Sequence, residues 1–217
     1  MITNASAFYS LLKSKFPFAP TSKQDMVLMQ LSQFIFDTNK NSLYLLKGYA
    51  GTGKTSIVGT IVSNLWEVKK SAVLLAPTGR AAKVISNYSK KEAFTIHKKI
   101  YFPKKESGGG VKFVMQPNKH RNTIFIVDEA SMIPDTPSDT KSFESSSLLD
   151  DLMQYVYSGH QCKLLLIGDK AQLPPVKSDL SPALNENKLS LTYTKDVMCI
   201  ELEEVVRQER DSGILVN

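Results

Sequence analysis

Residues 48–55 read Gly-Tyr-Ala-Gly-Thr-Gly-Lys-Thr and follow directly on the apolar run Leu43-Tyr44-Leu45-Leu46. A G-x-x-x-x-G-K-[ST] spacing between an apolar strand and a helix is a phosphate-binding loop, and it demands a strand, a tight turn and a helix in that order. Gly48, Gly51 and Gly53 leave room for backbone N–H groups to converge on a phosphate chain. Thr52 and Ser56 flank those glycines and line the same ligand. The following helix presents its positive end to the same anion. Lys54 supplies a point charge for the outer phosphates, and Thr55 a hydroxyl for Mg²⁺.

The rest of the chain supplies the sheet this loop requires. Apolar runs recur at 43–46, 72–76, 123–127 and 163–167, with a further short strand near 198–202. The runs are continuous rather than alternating, as in strands covered on both faces. Helical stretches over 54–70, 79–90 and 148–157 intervene, and a mostly apolar helix capped at Ser22–Asp25 precedes the first strand. Strands alternating with helices predict an α/β fold with a mostly parallel sheet. Two segments break the pattern. Residues 98–121 hold two extended pieces around Gly108-Gly109-Gly110 and predict a hairpin standing off the sheet. The Ser, Thr and Asp-rich stretch 135–147 reads as a surface loop.

Composition removes several classes. No apolar run approaches the roughly 18 residues needed to span a bilayer, and Met1-Ile2-Thr3-Asn4 does not open a signal peptide. The expectation is a cytoplasmic protein. Cys162 and Cys199 lie in apolar segments and read as buried thiols, not a disulfide framework. Three scattered His residues make no zinc cluster. A net charge of +6 points to an acidic partner such as nucleic acid.

Two strand ends carry further chemistry. Ile124-Phe125-Ile126-Val127 runs into Asp128 and Glu129, and in a parallel sheet the strand C-termini collect at the ligand edge. Asp128 is placed to hold Mg²⁺ opposite Thr55, and Glu129 to polarise an attacking water. Leu164 to Ile167 exits through Gly168-Asp169-Lys170-Ala171-Gln172-Leu173-Pro174-Pro175. The Gln172 amide can both donate and accept, which suits a γ-phosphate sensor. From spacing alone, Asp169 and Gln172 read first as a hydrogen-bonded turn.

In order, the phosphate loop, Ala76-Pro77-Thr78-Gly79-Arg80-Ala81-Ala82, Asp128-Glu129-Ala130-Ser131 and Gly168-Asp169-x-x-Gln172-Leu173-Pro174-Pro175 resemble superfamily 1 DNA helicases, most closely the RecD-like group of the 5′-to-3′ branch. The resemblance implies a RecA-like three-layer sandwich over residues 1–217, a second RecA-like domain outside this chain, and ATP hydrolysis with Mg²⁺ coupled to movement along single-stranded DNA. It implies an adenine-reading Gln24, strand contacts from Pro77, Thr78 and Arg80, and further contacts from Thr95 and His97 within Phe94-Thr95-Ile96-His97. It makes 98–121 a strand-separating pin, whose Tyr101, Phe102 and Phe113 either stack on bases or form the hairpin's own small core. It makes Arg207, in Val205-Val206-Arg207-Gln208, a γ-phosphate arginine. Proteins of this group also serve as subunits of helicase–nuclease complexes. Two other readings of the residues stand beside it: a small-molecule kinase, and a nucleotide-gated single-strand-binding module that turns over no ATP.

Overall fold

The computed structural model describes residues 2–105, 110–136, 147–169, 171–172 and 181–205. Six strands, β1 (Ser42–Gly48), β2 (Ser71–Ala76), β3 (Ala93–Thr95), β6 (Thr123–Val127), β7 (Lys163–Gly168) and β8 (Asp196–Leu202), form one sheet in the order β3-β2-β6-β7-β1-β8. Every neighbouring pair is parallel. All six strands therefore end at one rim, where an open α/β sheet places its ligands.

The continuous apolar runs are explained by two cores, one on each face. Tyr44, Leu46, Leu74, Ile124, Ile126, Leu165 and Ile167 point to one face and pack with helices α1 (Ala5–Lys15), α2 (Ser22–Phe36), α3 (Lys54–Asn64) and Ile85 of α4 (Gly79–Ser89). Their neighbours Leu43, Leu45, Leu75, Phe125, Val127, Leu164 and Leu166 point the other way, against α5 (Ile96–Ile100), α6 (Leu148–Ser158) and α7 (Glu186–Leu191). Successive strand residues alternate between faces, so a strand buried on both must be apolar throughout. The result is the three-layer α/β architecture that the alternating pattern predicts.

Local details differ from expectation in instructive ways. The cap of α2 is Thr21, not Ser22. Its Oγ1 accepts from Gln24 N at 3.3 Å, while Gln24 Oε1 accepts from Thr21 N at 3.1 Å, a complete capping box. Asp25 instead accepts from Tyr9 Oη at 2.8 Å and Lys13 Nζ at 3.0 Å, which ties α2 to α1. The helix expected over 54–70 ends at Asn64 and tightens into a 3₁₀ turn, Leu65–Val68, before Lys69 turns the chain at φ 55°. Of the two thiols, Cys162 is buried and Cys199 only half so. Lys163 is buried at the start of β7, and its Nζ donates to Phe34 O and Asp37 O, each at 2.6 Å, which caps the C-terminus of α2.

The expected hairpin is present as β4 (Tyr101–Lys105) and β5 (Val111–Met115), an antiparallel pair separate from the main sheet. Its foot is fixed. Tyr101 Oη donates to Asp151 of α6 at 2.5 Å, and Gln116 N donates to Ile100 O at 2.9 Å. Tyr101 and Met115 pack on the second core of the main sheet, so Tyr101 belongs to the domain's core rather than to a small core of the hairpin's own, whereas Phe102 is 40% exposed further out. Most of the 135–147 loop lies outside the described residues.

Candidate nucleotide site and the adjoining strand-edge surface

The loop between β1 and α3 is held in shape by contacts that only glycine permits. Gly51 and Gly53 have φ of +80° and +89°, a region costly for residues with a side chain. A Cβ on Gly48 would stand 2.9 Å from Leu202 O, and one on Gly53 only 2.3 Å from Gln24 Nε2. Thr52 is buried and its Oγ1 donates to Tyr49 O at 2.9 Å. Gln24 is buried beneath the loop, with Nε2 donating to Thr52 O at 3.1 Å. With Oε1 taken by Thr21, one amide hydrogen of Gln24 remains for a base.

Lys54 opens α3 and turns its Nζ back onto the loop, donating to Gly48 O at 2.8 Å and Tyr49 O at 2.7 Å. Burial lowers the pKa of this ammonium, and the nearby carboxylates of Asp169 and then Asp128 oppose the shift. Strands β6, β7 and β1 are parallel neighbours, so both strand-end acids leave the sheet at the rim that carries the phosphate loop. Thr55, next along, is exposed and its hydroxyl makes no hydrogen bond among the described residues.

Asp128 leaves β6 with both carboxylate oxygens held. Oδ1 accepts from Glu129 N at 2.9 Å, and Oδ2 accepts from the hydroxyl of Tyr88, in the last turn of α4, also at 2.9 Å. Burial and the charge on Asp128 raise the Tyr88 phenol well above its ordinary range, so it stays a donor. Glu129 adopts φ 53°, ψ 36°, a left-handed conformation that a residue with a side chain takes up at a cost of about 1–2 kcal/mol. Burial first, and Asp128 second, raise its carboxyl above the ordinary value, while Arg80 pulls it down. One step further, Ser131 Oγ donates to Gln172 Oε1 at 2.6 Å, which joins the exits of β6 and β7. Asp169, buried at the end of β7, accepts from Ala171 N at 2.8 Å. Val205 lies against Gly51, and Arg207 lies outside the described residues.

The oxygen donors fit a hard divalent ion: a free hydroxyl on Thr55 and a carboxylate on Asp128, whose oxygens each keep a lone-pair direction open. Among the described residues no cluster of three His, Cys, Asp or Glu side chains could hold a metal by itself. That suits an ion shared with a phosphate chain rather than caged by protein.

Residues 32–178 match the family described as an AAA domain. The chain belongs to that family. It is 32% identical over 166 residues to the ATP-dependent DNA helicase dda of Enterobacteria phage T4, covering 75% of this chain and 34% of that protein. It is 28% identical over 174 residues to the ATP-dependent RecD2 DNA helicase of Deinococcus radiodurans, covering 80% of this chain and 21% of that one. The fold is similar to that of a Bacteroides Pif1 helicase solved with ADP-AlF3 and single-stranded DNA, with a TM-score of 0.51, 17% identity, and 88% of this chain against 44% of the other. The chain thus spans about a third or less of these two sequence relatives.

Beside the candidate nucleotide site, the AAA domain brings the expected strand-contact residues to the same rim. Ala76 pairs with Thr95, so the exits of β2 and β3 lie side by side. Thr78 and Thr95 are both N-caps: Thr78 Oγ1 accepts from Ala81 N, and Thr95 Oγ1 from Lys98 N, each at 3.2 Å. Each hydroxyl still has its hydrogen to donate. Pro77 is half-buried, whereas Arg80 and His97 are exposed. The His97 ring lies 5.8 Å from that of Tyr101. Between the two exits runs a groove of about 360 Å³ lined by Gly79, Lys83, Asn87, Phe94, Thr95 and Lys98.

The sequence pattern gave no hint of Tyr88. Its partner is 40 residues away and nothing in the helix marks it. Ser131 sits inside a recognised motif, but its bond to Gln172 spans 41 residues and no spacing rule reveals it.

Proposed function

We infer that this chain is the ATP-binding and ATP-hydrolysing RecA-like motor domain of a DNA helicase, acting on single-stranded DNA, with the second RecA-like domain supplied by residues outside it. The observation that carries this reading is the convergence of Lys54, Asp128 and Asp169 at the C-terminal rim of the parallel sheet, beside the Pro77–Arg80 and Thr95–His97 exits. The relatives named as ATP-dependent DNA helicases support it, and the likeness to RecD-like helicases supports a 5′-to-3′ polarity. A small-molecule kinase would leave the Ser131–Gln172 junction and the strand-edge groove without a task.

In this mechanism the loop amides and the positive end of α3 bind the phosphate chain. Lys54 exchanges the carbonyls of Gly48 and Tyr49 for phosphate oxygens. Thr55 and Asp128 would hold Mg²⁺, which when bound neutralises charge developing on the phosphates. Glu129 orients the attacking water and takes its proton. Ser131 holds the Gln172 amide oxygen, which turns the Gln172 N–H groups outward as donors for the terminal phosphate. Arg207 completes the charge stabilisation, and Gln24 offers its remaining N–H to the adenine. Thr78, Arg80, Thr95 and His97 contact the strand backbone, as hydroxyl and basic side chains do.

The test is Mg²⁺-dependent ATP hydrolysis with and without single-stranded DNA, on this chain and on the protein carrying the second domain. DNA-stimulated turnover in the longer protein, abolished in Glu129→Gln, is the expected result. Turnover that Glu129→Gln leaves intact, or phosphate appearing on a small acceptor instead of water, would overturn the reading.

A further inference from the structure

We propose that Tyr88 is a positioning residue for the strand-end carboxylate Asp128, fixing the oxygens that serve the nucleotide's cation and tying them to the helix that starts at the strand-contact segment. The inference rests on the proposed ATPase reading of Asp128. A carboxylate at a strand end turns freely about its Cβ–Cγ bond unless both oxygens are held. Here Oδ1 is held by Glu129 N and Oδ2 by the Tyr88 hydroxyl, each at 2.9 Å. Of roughly four lone-pair directions on a carboxylate, two are used and one remains on each oxygen. Turning the group would break both bonds together. Groups that hydrogen-bond a metal ligand from behind in this way set its orientation, and their loss costs about 10–100-fold in metal affinity.

The position of Tyr88 adds a second consequence. It lies in the last turn of α4, whose N-cap is Thr78 and whose first turn holds Arg80. The Tyr88 ring packs on the first core, so the side chain is held from two sides. One rigid helix of 11 residues thus carries proposed strand contacts at its start and a grip on Asp128 at its end. A nucleic-acid strand that draws on Thr78 and Arg80 would pull, through this helix, on the bond to Asp128.

The experiment is equilibrium binding of a fluorescent ADP analogue to this chain, titrated with Mg²⁺, and repeated in EDTA. Wild type, Tyr88→Phe, Asp128→Asn and the double variant are compared. Tyr88→Phe keeps the packed ring, and Tyr88→Met repeats the test with different packing. The expected result is a half-saturating Mg²⁺ concentration raised about tenfold in both Tyr88 variants, with binding in EDTA unchanged. The double variant should be no worse than Asp128→Asn alone. A Tyr88→Phe titration matching wild type, an equal loss in EDTA, or a full extra loss in the double variant would overturn the positioning role. Wild type that binds no nucleotide would sink the ATPase reading itself, and the inference with it.

Discussion

Gly53→Ala tests the tightest contact in the phosphate loop. Gly53 sits at φ +89°, where an L-residue pays about 1–2 kcal/mol. Its new Cβ would stand 2.3 Å from Gln24 Nε2, closer than any real contact, so the glutamine must leave. Leaving breaks the bond to Thr52 O at 3.1 Å and the capping-box bond to Thr21 N at 3.1 Å, each a net loss of about 1 kcal/mol. The sum is about 3–4 kcal/mol, which for a domain of this size lowers the thermal midpoint by about 6–16 °C. Thermal unfolding followed by circular dichroism reads it directly. The argument also predicts non-additivity. With Gln24→Ala already in place the clash is gone, and Gly53→Ala should cost only its backbone term of about 1–2 kcal/mol. A midpoint that falls by less than about 3 °C, or single-variant costs that simply add in the double variant, would refute the reasoning.

Three other outcomes are expected. The Glu129 carboxyl is raised by burial and by Asp128, and Arg80 holds it down, so the acid limb of the DNA-free ATPase pH profile should lie above the ordinary 4.5 and move higher still in Arg80→Ala; a limb unmoved by the substitution argues against the pairing. In DNA-binding titrations at several salt concentrations, Arg80→Ala should weaken single-strand binding and reduce the log–log salt slope by about 1; an unchanged slope would remove Arg80 from the strand contacts. Tyr101→Phe removes one donor to buried Asp151 and should destabilise the domain by about 1–2 kcal/mol, while limited proteolysis within the hairpin accelerates.

Much of the sheet was legible because its signal is local. The runs at 43–46, 72–76, 123–127 and 163–167 lie within β1, β2, β6 and β7, since burial on both faces keeps them apolar apart from Thr123 and Lys163 at their starts. Strand β3, helix α5 and helix α7 were missed because pieces of three to six residues carry no period to count. Helix α1 was missed because only Phe8 and Leu12 are buried in it, too few to mark a face. The cap of α2 was misplaced by one residue because Thr21 and Ser22 are both good caps, and the choice falls to the reciprocal bond from Gln24. At the site, the loop and Asp128-Glu129 were legible because their chemistry is contiguous. The partners that orient them, Tyr88 on Asp128 and Ser131 on Gln172, come from distant segments brought together only by packing.

The side chain of Gln24 closes the first turn of α2 and also props up Thr52, so helix and loop open together or not at all. Amide hydrogen exchange at the start of α2 then becomes a remote reporter on the loop. A ligand that closes the loop slows exchange at residues it never touches, because local opening there must first release the shared glutamine. The first two helices are in this sense part of the lock on the phosphate loop, and truncating them would loosen the binding site from behind.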